Sequence, residues 1–430
     1  MMPTKSDYRM TTRWRVGWIL PRLMLVVMGT DVAARCVPLE LFAIRPNEAL
    51  QPRNVAPEGP FEPNREFHNA RSYGDLSAIG NLPQRRLYRH VDFTTDAFGF
   101  HNIAGAEVHT PAAGILFGDS FAIGAEVPEE KALAAQLTEV FSGRIYNAGG
   151  YAPLDLGRVR QLASRLKLRK GMLIYEFHEA HLKETPPSDA AEGSSWRHRV
   201  ALRVLGFRGS HRLRGWLSLL TDSRLRLLAQ QFERAMENNS VLPNSFASNV
   251  VEGRLRNHDW MLFLPSRIEP VDSPDAAVAR WADFFCYVSN QISRDGLELV
   301  VLIVPSKFTV YGPLLESPRL HAEGDVLLGQ LERRLRDRGV RVVNASPAFR
   351  EAATELAERH QYIYWQDDTH WNECGVTLAV EEFRKQMSSQ AVPKFAVAAH
   401  PPPAGRAWRA ALPPDCQSQQ KYAATSLSSR

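Results

Sequence analysis

The sequence predicts an α/β fold in which helices cover both faces of a parallel sheet, and three observations predict it. Strand-like and helix-like signals alternate between residues 114 and 180. The alternation resumes after residue 274. The run E-L-V-V-L-I-V-P at 298–305 is apolar almost throughout, as a strand buried on both faces must be. Strands alternating with helices of 10–15 residues imply crossover connections, hence parallel pairing and helices on both faces.

In chain order, 114–118 (G-I-L-F-G) is a short apolar strand, and 129–141 repeats apolar residues at helical spacing. R-I-Y-N-A at 144–148 is a second strand, 154–168 a basic amphipathic helix, and M-L-I-Y-E-F at 172–177 a third strand. A helix over 275–293 precedes the buried strand 298–305. A helix at 325–338, a strand at 341–344 (R-V-V-N) and helices at 346–358 and 374–388 complete the pattern.

Between these halves, 182–265 spaces its apolar residues for helices and reads as a helical insertion packed over the sheet's active edge. Within it, residues 197–234 hold nine arginines against two acids, Asp222 and Glu233. That is a solvated helix face or, more sharply, a surface for an anionic polymer or membrane headgroups.

At 430 residues the chain is too long for one compact core. With 44% apolar and 23% charged residues it is neither disordered throughout, collagen-like nor a polytopic membrane protein. A net charge of +5 is too mild to imply nucleic acid, and none is expected as a partner. The four cysteines, Cys36, Cys286, Cys374 and Cys416, lack zinc spacing.

The expected organisation has four parts. Residues 1–35 put a basic flank (Lys5, Arg9, Arg13, Arg15) before an apolar run, the pattern of an export signal or an uncleaved membrane anchor, although Arg22 interrupts it. Residues 36–90 read as a linker and N-terminal extension. Residues 91–390 hold the α/β domain with its insertion, and 391–430 read as a disordered Ala/Pro/Ser/Gln tail. The protein is accordingly expected in the periplasm or another extracytoplasmic space, in contact with the membrane through its N-terminus.

Two segments carry chemistry. In I-L-F-G-D-S-F (115–121) a serine follows a buried strand directly, at the carboxyl edge where open α/β sheets bind ligands. In Y-W-Q-D-D-T-H-W-N-E-C-G (364–375) His370 follows Asp367 by three residues and Asp368 by two. A serine hydroxyl needs a base to take its proton, and the base needs a carboxylate to fix its tautomer. One short loop supplies both, and either aspartate fits. His178, Glu179 and His181 lack the four-residue spacing of a helical zinc motif, and no Gly-rich phosphate motif occurs. No metal and no cofactor is expected.

With G-D-S-F early and D-D-T-H-W-N late in one chain, the sequence resembles the SGNH (GDSL-type) hydrolase superfamily. D-T-H-W, together with V-P-S-K-F-T-V-Y at 304–311, resembles its alginate O-acetyltransferase-like branch, although those proteins carry the histidine block first. The resemblance covers about 90–180 and 274–388. It implies a flavodoxin-like three-layer fold, Ser120 as nucleophile, His370 as base, and Asp367 or, by the D-x-H wording of the branch, Asp368 as the orienting acid. It also implies an oxyanion hole from the amides of Ser120 and Gly149, with Gly150 as the alternative. The family's third block holds an asparagine, but this chain reads Y-E-F-H-E-A-H-L at 175–182. Either His178 or His181 donates in its place, or the oxyanion hole has only two donors; both histidines are candidate substrate-binding residues, as is Lys307 after the strongest strand. Trp365 and Trp371 flank the loop, for stacking on sugars or for packing. D-A-F-G-F-H-N (96–102) is expected to be structural.

The expected activity is transfer or removal of an O-acyl, chiefly O-acetyl, group on an exported polysaccharide through an acyl-serine. A membrane protein that donates acetyl groups is a candidate partner. The rival readings are an inactive carbohydrate-binding or scaffold protein and a membrane-associated lipid or thioester hydrolase.

Overall fold

A computed structural model describes residues 21–22, 25–34, 36, 45–46, 50, 59–103, 105, 112–141, 143–150, 154–187, 224–239, 241, 245–317 and 323–389. The basic flank before residue 16, the arginine-rich part of the insertion up to 223 and the tail from 391 lie outside them.

The centre is a five-stranded sheet of order β4-β3-β5-β8-β9, formed by Ala112–Phe117 (β3), Arg144–Asn147 (β4), Gly171–His178 (β5), Leu297–Val304 (β8) and Arg341–Asn344 (β9). Every pairing in it is parallel. Side chains alternate between its two faces, and both faces are covered, which is why its strands are largely apolar. Val300, Leu302 and Val304 of β8 share one core with helices Leu133–Val140, Ser346–Ala357 and Glu373–Ser389. Leu299, Val301 and Ile303 share the other with helices Leu156–Arg165, Pro274–Arg294 and Glu323–Asp337. The result is the three-layer α/β arrangement expected. The chain runs from β3 outward to β4, then returns to lay β5 on the other flank of β3. Ligand sites of open sheets form at the carboxyl ends beside such a reversal.

Two regions differ from the sequence expectation. Residues 59–90, within the stretch expected to be a linker and N-terminal extension, are folded. Glu66–Ser72 (β1) pairs antiparallel with Arg89–Thr94 (β2), and the short helix Asp75–Ile79 (α1) lies between them. Phe61, Phe67, Val91 and Phe93 form a small core of their own with Ile123 and Ala125. Asp96 and Asn102, from the stretch expected to be structural, tie this segment to β4: Asn102 Nδ2 donates to Asn147 O at 2.9 Å and Tyr146 OH donates to Asp96 Oδ2.

The insertion is not all helical either. Arg224–Asn238 is a helix, but Val251–Arg254 (β6) and Trp260–Phe263 (β7) form an antiparallel hairpin. Its turn places His258 at φ 69°, and short strands with a five-residue turn leave no length for a helix. The hairpin does pack over the active edge: Leu262 N donates to Gln366 O at 3.0 Å, and Phe263 joins the core beneath.

Candidate active site

Ser120 begins a one-turn helix, Ser120–Ile123 (α2), immediately after β3. Asp119 caps it, accepting from Phe121 N at 2.8 Å. Gly118 is required between strand and helix, because a Cβ there would lie 2.5 Å from Glu176 Oε2. As first residue of the helix, Ser120 has an amide with no intrahelical acceptor.

His370 comes from the loop before the last helix. Its Nε2 lies 2.7 Å from Ser120 Oγ and its Nδ1 lies 2.6 Å from Asp368 Oδ1, which also accepts from the His370 amide at 3.0 Å. Burial disfavours the imidazolium, but the Asp368 carboxylate and its hydrogen bond outweigh this and raise the His370 pKa to about 9. Burial would raise the Asp368 carboxyl, yet His370 and Arg89 hold it well below the usual carboxylate range.

The two aspartates share Arg89 but differ in their other partners. Asp367 does not meet His370. Its Oδ2 accepts from Gly74 N at 2.7 Å, Leu87 N at 2.9 Å and Ser77 Oγ at 3.3 Å, and its Oδ1 from Arg89 Nη1 at 3.0 Å. Its carbonyl accepts from Leu76 N and Ser77 N, at the first turn of α1. Gly74 permits this approach, since a Cβ there would lie 2.0 Å from Asp367 O.

Arg89 and Asp75 are site residues that the motif search missed. Arg89 is buried. Its Nη2 donates to Asp368 Oδ2 at 2.9 Å and to Glu126 Oε2 at 3.0 Å, and its guanidinium lies over the Trp365 ring at 4.3 Å. Asp75 accepts from Thr369 N at 2.7 Å and from the Thr369 hydroxyl, while its own amide donates to Asp368 Oδ2 at 2.9 Å. The signal was the alternation of R-H-V-D-F-T at 89–94. It turns Arg89 to the same face as Val91 and Phe93, and a buried guanidinium needs acidic partners. Glu126, buried beside Asp368, is pushed up to about 7 by desolvation first and by that carboxylate second.

The other expected residues divide. His178 ends β5 and lines, with Ser120, Phe121, Asp75, Arg267 and His370, a cavity of about 220 Å³. His181 does not line it. It stands behind the serine turn, 3.2 Å from Asp119 Oδ2 and 2.9 Å from Glu184 Oε2, and the two acids raise its pKa against the effect of burial. Lys307 lines the cavity, but its Nζ donates to the carbonyls of Trp365 at 2.7 Å, Gln366 at 2.9 Å and Asp368 at 2.9 Å. Those three acceptors occupy all its N–H donors, so it organises the loop and has none left for a substrate. Burial pushes its pKa down to about 7. The Gly149 amide donates to Asn147 Oδ1 at 2.9 Å and the Gly150 amide to Gly118 O at 2.9 Å, so neither is directed at a carbonyl beside Ser120. Trp371 is buried against Phe121 and Phe349, and Trp365 covers Arg89. Both pack the loop.

Asp75, Asp368 and His370 bring three ligand-type atoms within 4.8 Å of one another. Hydrogen bonds to Thr369, Arg89 and Ser120 already engage these groups. What the arrangement can do chemically is lend the Ser120 hydroxyl a base that a buried carboxylate orients.

Residues 250–411 match the family model ALGX, described as an SGNH hydrolase-like domain of the acetyltransferase AlgX. The chain contains an SGNH hydrolase-like domain. The match takes in the hairpin wall, the Lys307 block and the Asp368–His370 loop. Ser120 lies ahead of it in sequence, and the fold returns it to the same edge. A search of curated proteins finds no match.

Proposed function

We propose that this protein is a serine acyl-transfer enzyme of the extracytoplasmic space that moves an O-acetyl group of a polysaccharide, to a hydroxyl acceptor or to water. The observation that carries the reading is the relay Ser120 Oγ, His370 Nε2, His370 Nδ1, Asp368 Oδ1, with links of 2.7 and 2.6 Å. Ser120 Oγ attacks the ester carbonyl carbon, its proton passes to His370 Nε2, and the carbonyl π electrons move onto oxygen. Collapse of the tetrahedral species expels the carrier oxygen, which takes that proton, and leaves Ser120 acylated. A sugar hydroxyl or water, deprotonated by the same nitrogen, then attacks the acyl carbon, and the Ser120 Oγ–acyl bond breaks as Oγ takes the proton back from His370 Nε2.

The cavity supports a short acyl group over a lipid chain, since at about 220 Å³ it is smaller than the sites that enclose drug-sized ligands. The family description supports acetyl. Arg267 on the cavity wall takes over the role expected of Lys307 in meeting a polar or anionic carrier. Two features support the compartment. Cys374 is disulfide-bonded, which suits an oxidising space. The helical residues 25–34 expose Leu25, Val26, Val27 and Val32, which suit a membrane surface. No helix among the described residues is long and apolar enough to cross a membrane.

The test is intact-mass spectrometry after exposure to an activated acetyl ester. The parent should gain one acetyl group and Ser120→Ala none. An equal adduct on Ser120→Ala would sink the nucleophile assignment. Adding candidate oligosaccharides to the acetylated parent then separates transfer from hydrolysis.

A further inference from the structure

An acyl-serine mechanism needs donors for the oxygen that becomes negative, and preorganised donors of this kind are commonly the largest contribution to catalysis. The Ser120 amide, free at the start of α2, is one. The glycine amides expected to join it are engaged elsewhere, with Gly149 N on Asn147 Oδ1 and Gly150 N on Gly118 O. Asp119 N donates to Glu176 Oε2 at 3.1 Å. Among the described backbone amides of these two turns, that leaves the Ser120 amide, where acyl chemistry generally uses two or more donors.

His178 is the remaining polar side chain of the neighbouring strand at this edge, and three observations single it out. The first is register. Phe117 pairs with Tyr175 across β3 and β5, so Ser120 and His178, each three residues further on, stand level at adjacent strand ends. The second is orientation. The His178 ring stacks on Phe121 with centroids 4.4 Å apart and planes 17° apart, and Phe121 also borders the His370 ring at 4.9 Å. The third is want of a partner. His178 is only 4% exposed and lines the Ser120 cavity, yet neither ring nitrogen has a hydrogen-bond partner among the described residues. A buried imidazole with both nitrogens unpartnered costs free energy, so the fold keeps it against its own stability. Burial also holds it neutral, so one nitrogen carries a proton to donate and the ring adds no charge to the resting site.

We propose that His178 is the second oxyanion donor, giving a ring N–H to the ester oxygen opposite the Ser120 amide as the carbonyl turns tetrahedral. It rests on the acyl-serine reading above and supplies the donor that the missing asparagine leaves vacant.

The experiment measures the first-order rate of Ser120 acetylation by p-nitrophenyl acetate, under saturation, in the parent and in His178→Leu, His178→Asn and Ser120→Ala. Leucine fills the space beside Phe121 without a donor, and asparagine supplies one. His178→Leu is expected to acetylate on the same serine about 10²–10³ times more slowly, with KM changed less than about threefold. His178→Asn is expected to recover at least tenfold of that loss. A His178→Leu rate within about threefold of the parent overturns the proposal. So does an asparagine variant as slow as the leucine one, since the loss would then be one of packing. Where the variants fail to fold, ¹⁵N-histidine NMR of the parent decides. Methylboronic acid, which forms a tetrahedral adduct on a reactive serine, should shift the His178 ring N–H. An adduct on Ser120 with that signal unmoved overturns the assignment. An acetyl adduct persisting on Ser120→Ala, or none forming on the folded parent, breaks the underlying acyl-serine reading instead and takes the donor role with it.

Discussion

The sheet edge and the segment 59–103 both reach the loop 364–372 and hold it by different means. The edge meets it through a hydrogen-bonded pair, Ser120 with His370, and through Lys307 grasping three carbonyls. The N-terminal segment meets it through a buried ionic junction of Arg89 with Asp367, Asp368 and Glu126, and through the amides of Gly74, Asp75 and Leu87. The adjacent aspartates differ in reach: among the described residues the Asp367 carboxylate meets the N-terminal segment alone, whereas Asp368 meets both that segment, through Arg89 and the Asp75 amide, and His370. Identical side chains at neighbouring positions thus take different work from the partners each one meets.

The strongest way to break this comparison is to change the two aspartates separately. Asp368→Asn should lower acyl transfer by about 10⁴-fold while the protein stays folded, because the amide cannot hold the base in its productive tautomer. Asp367→Asn should instead cost about 1–3 kcal/mol of stability and leave the folded fraction active. Chemical denaturation run beside single-turnover acylation checks both, and equal activity losses in the two variants would refute the division. Next in size is Arg89→Met. It strands Asp367 and Asp368 as buried charges and should cost about 3–5 kcal/mol, read as a lower denaturation midpoint with an unchanged slope.

The pH profile sharpens the comparison on the catalytic side. A base raised to about 9 is mostly protonated at neutral pH, so kcat/KM should climb as pH rises through about 9. Removing the Asp368 charge should move the inflection down. The stability sign runs the other way. The folded pKa of His370 lies above its ordinary 6.5, so its contribution is whole below pH 6.5 and is lost as pH rises through about 9. The smallest effect expected is from Glu126→Gln. It removes one carboxyl that supports the imidazolium, so the inflection should fall slightly with little change in maximal rate.

Much of the fold was legible because periodicity and burial coincide in a doubly covered sheet. R-V-V-N at 341–344 and the run ending at Val304 became β9 and β8 nearly as read. The β6–β7 hairpin escaped because V-E-G-R and W-M-L-F are four residues each, too short for a period to declare itself. Ser120, Asp368 and His370 were visible as residue types in a pattern. Arg89 and Asp75 were not, because their partners lie 279 and 293 residues away and no local spacing encodes such a meeting. Gly149 misled for a related reason: its amide is captured by Asn147, two residues back, an Asx turn that the string Y-N-A-G-G-Y leaves unspecified.

Ser120 and His370 lie 250 residues apart on the chain, and a single 2.7 Å contact joins them. Closing that contact requires the whole sheet from β3 to β9, together with the last helix, to be in place. Loop closure over such a span comes late and slowly in folding. On the proposed acyl-serine reading, the refolding chain should gather its helices and bury its tryptophans before it can acylate. Fluorescence should recover ahead of reactivity, and a chain cut anywhere between the two residues will need both pieces before either one reacts.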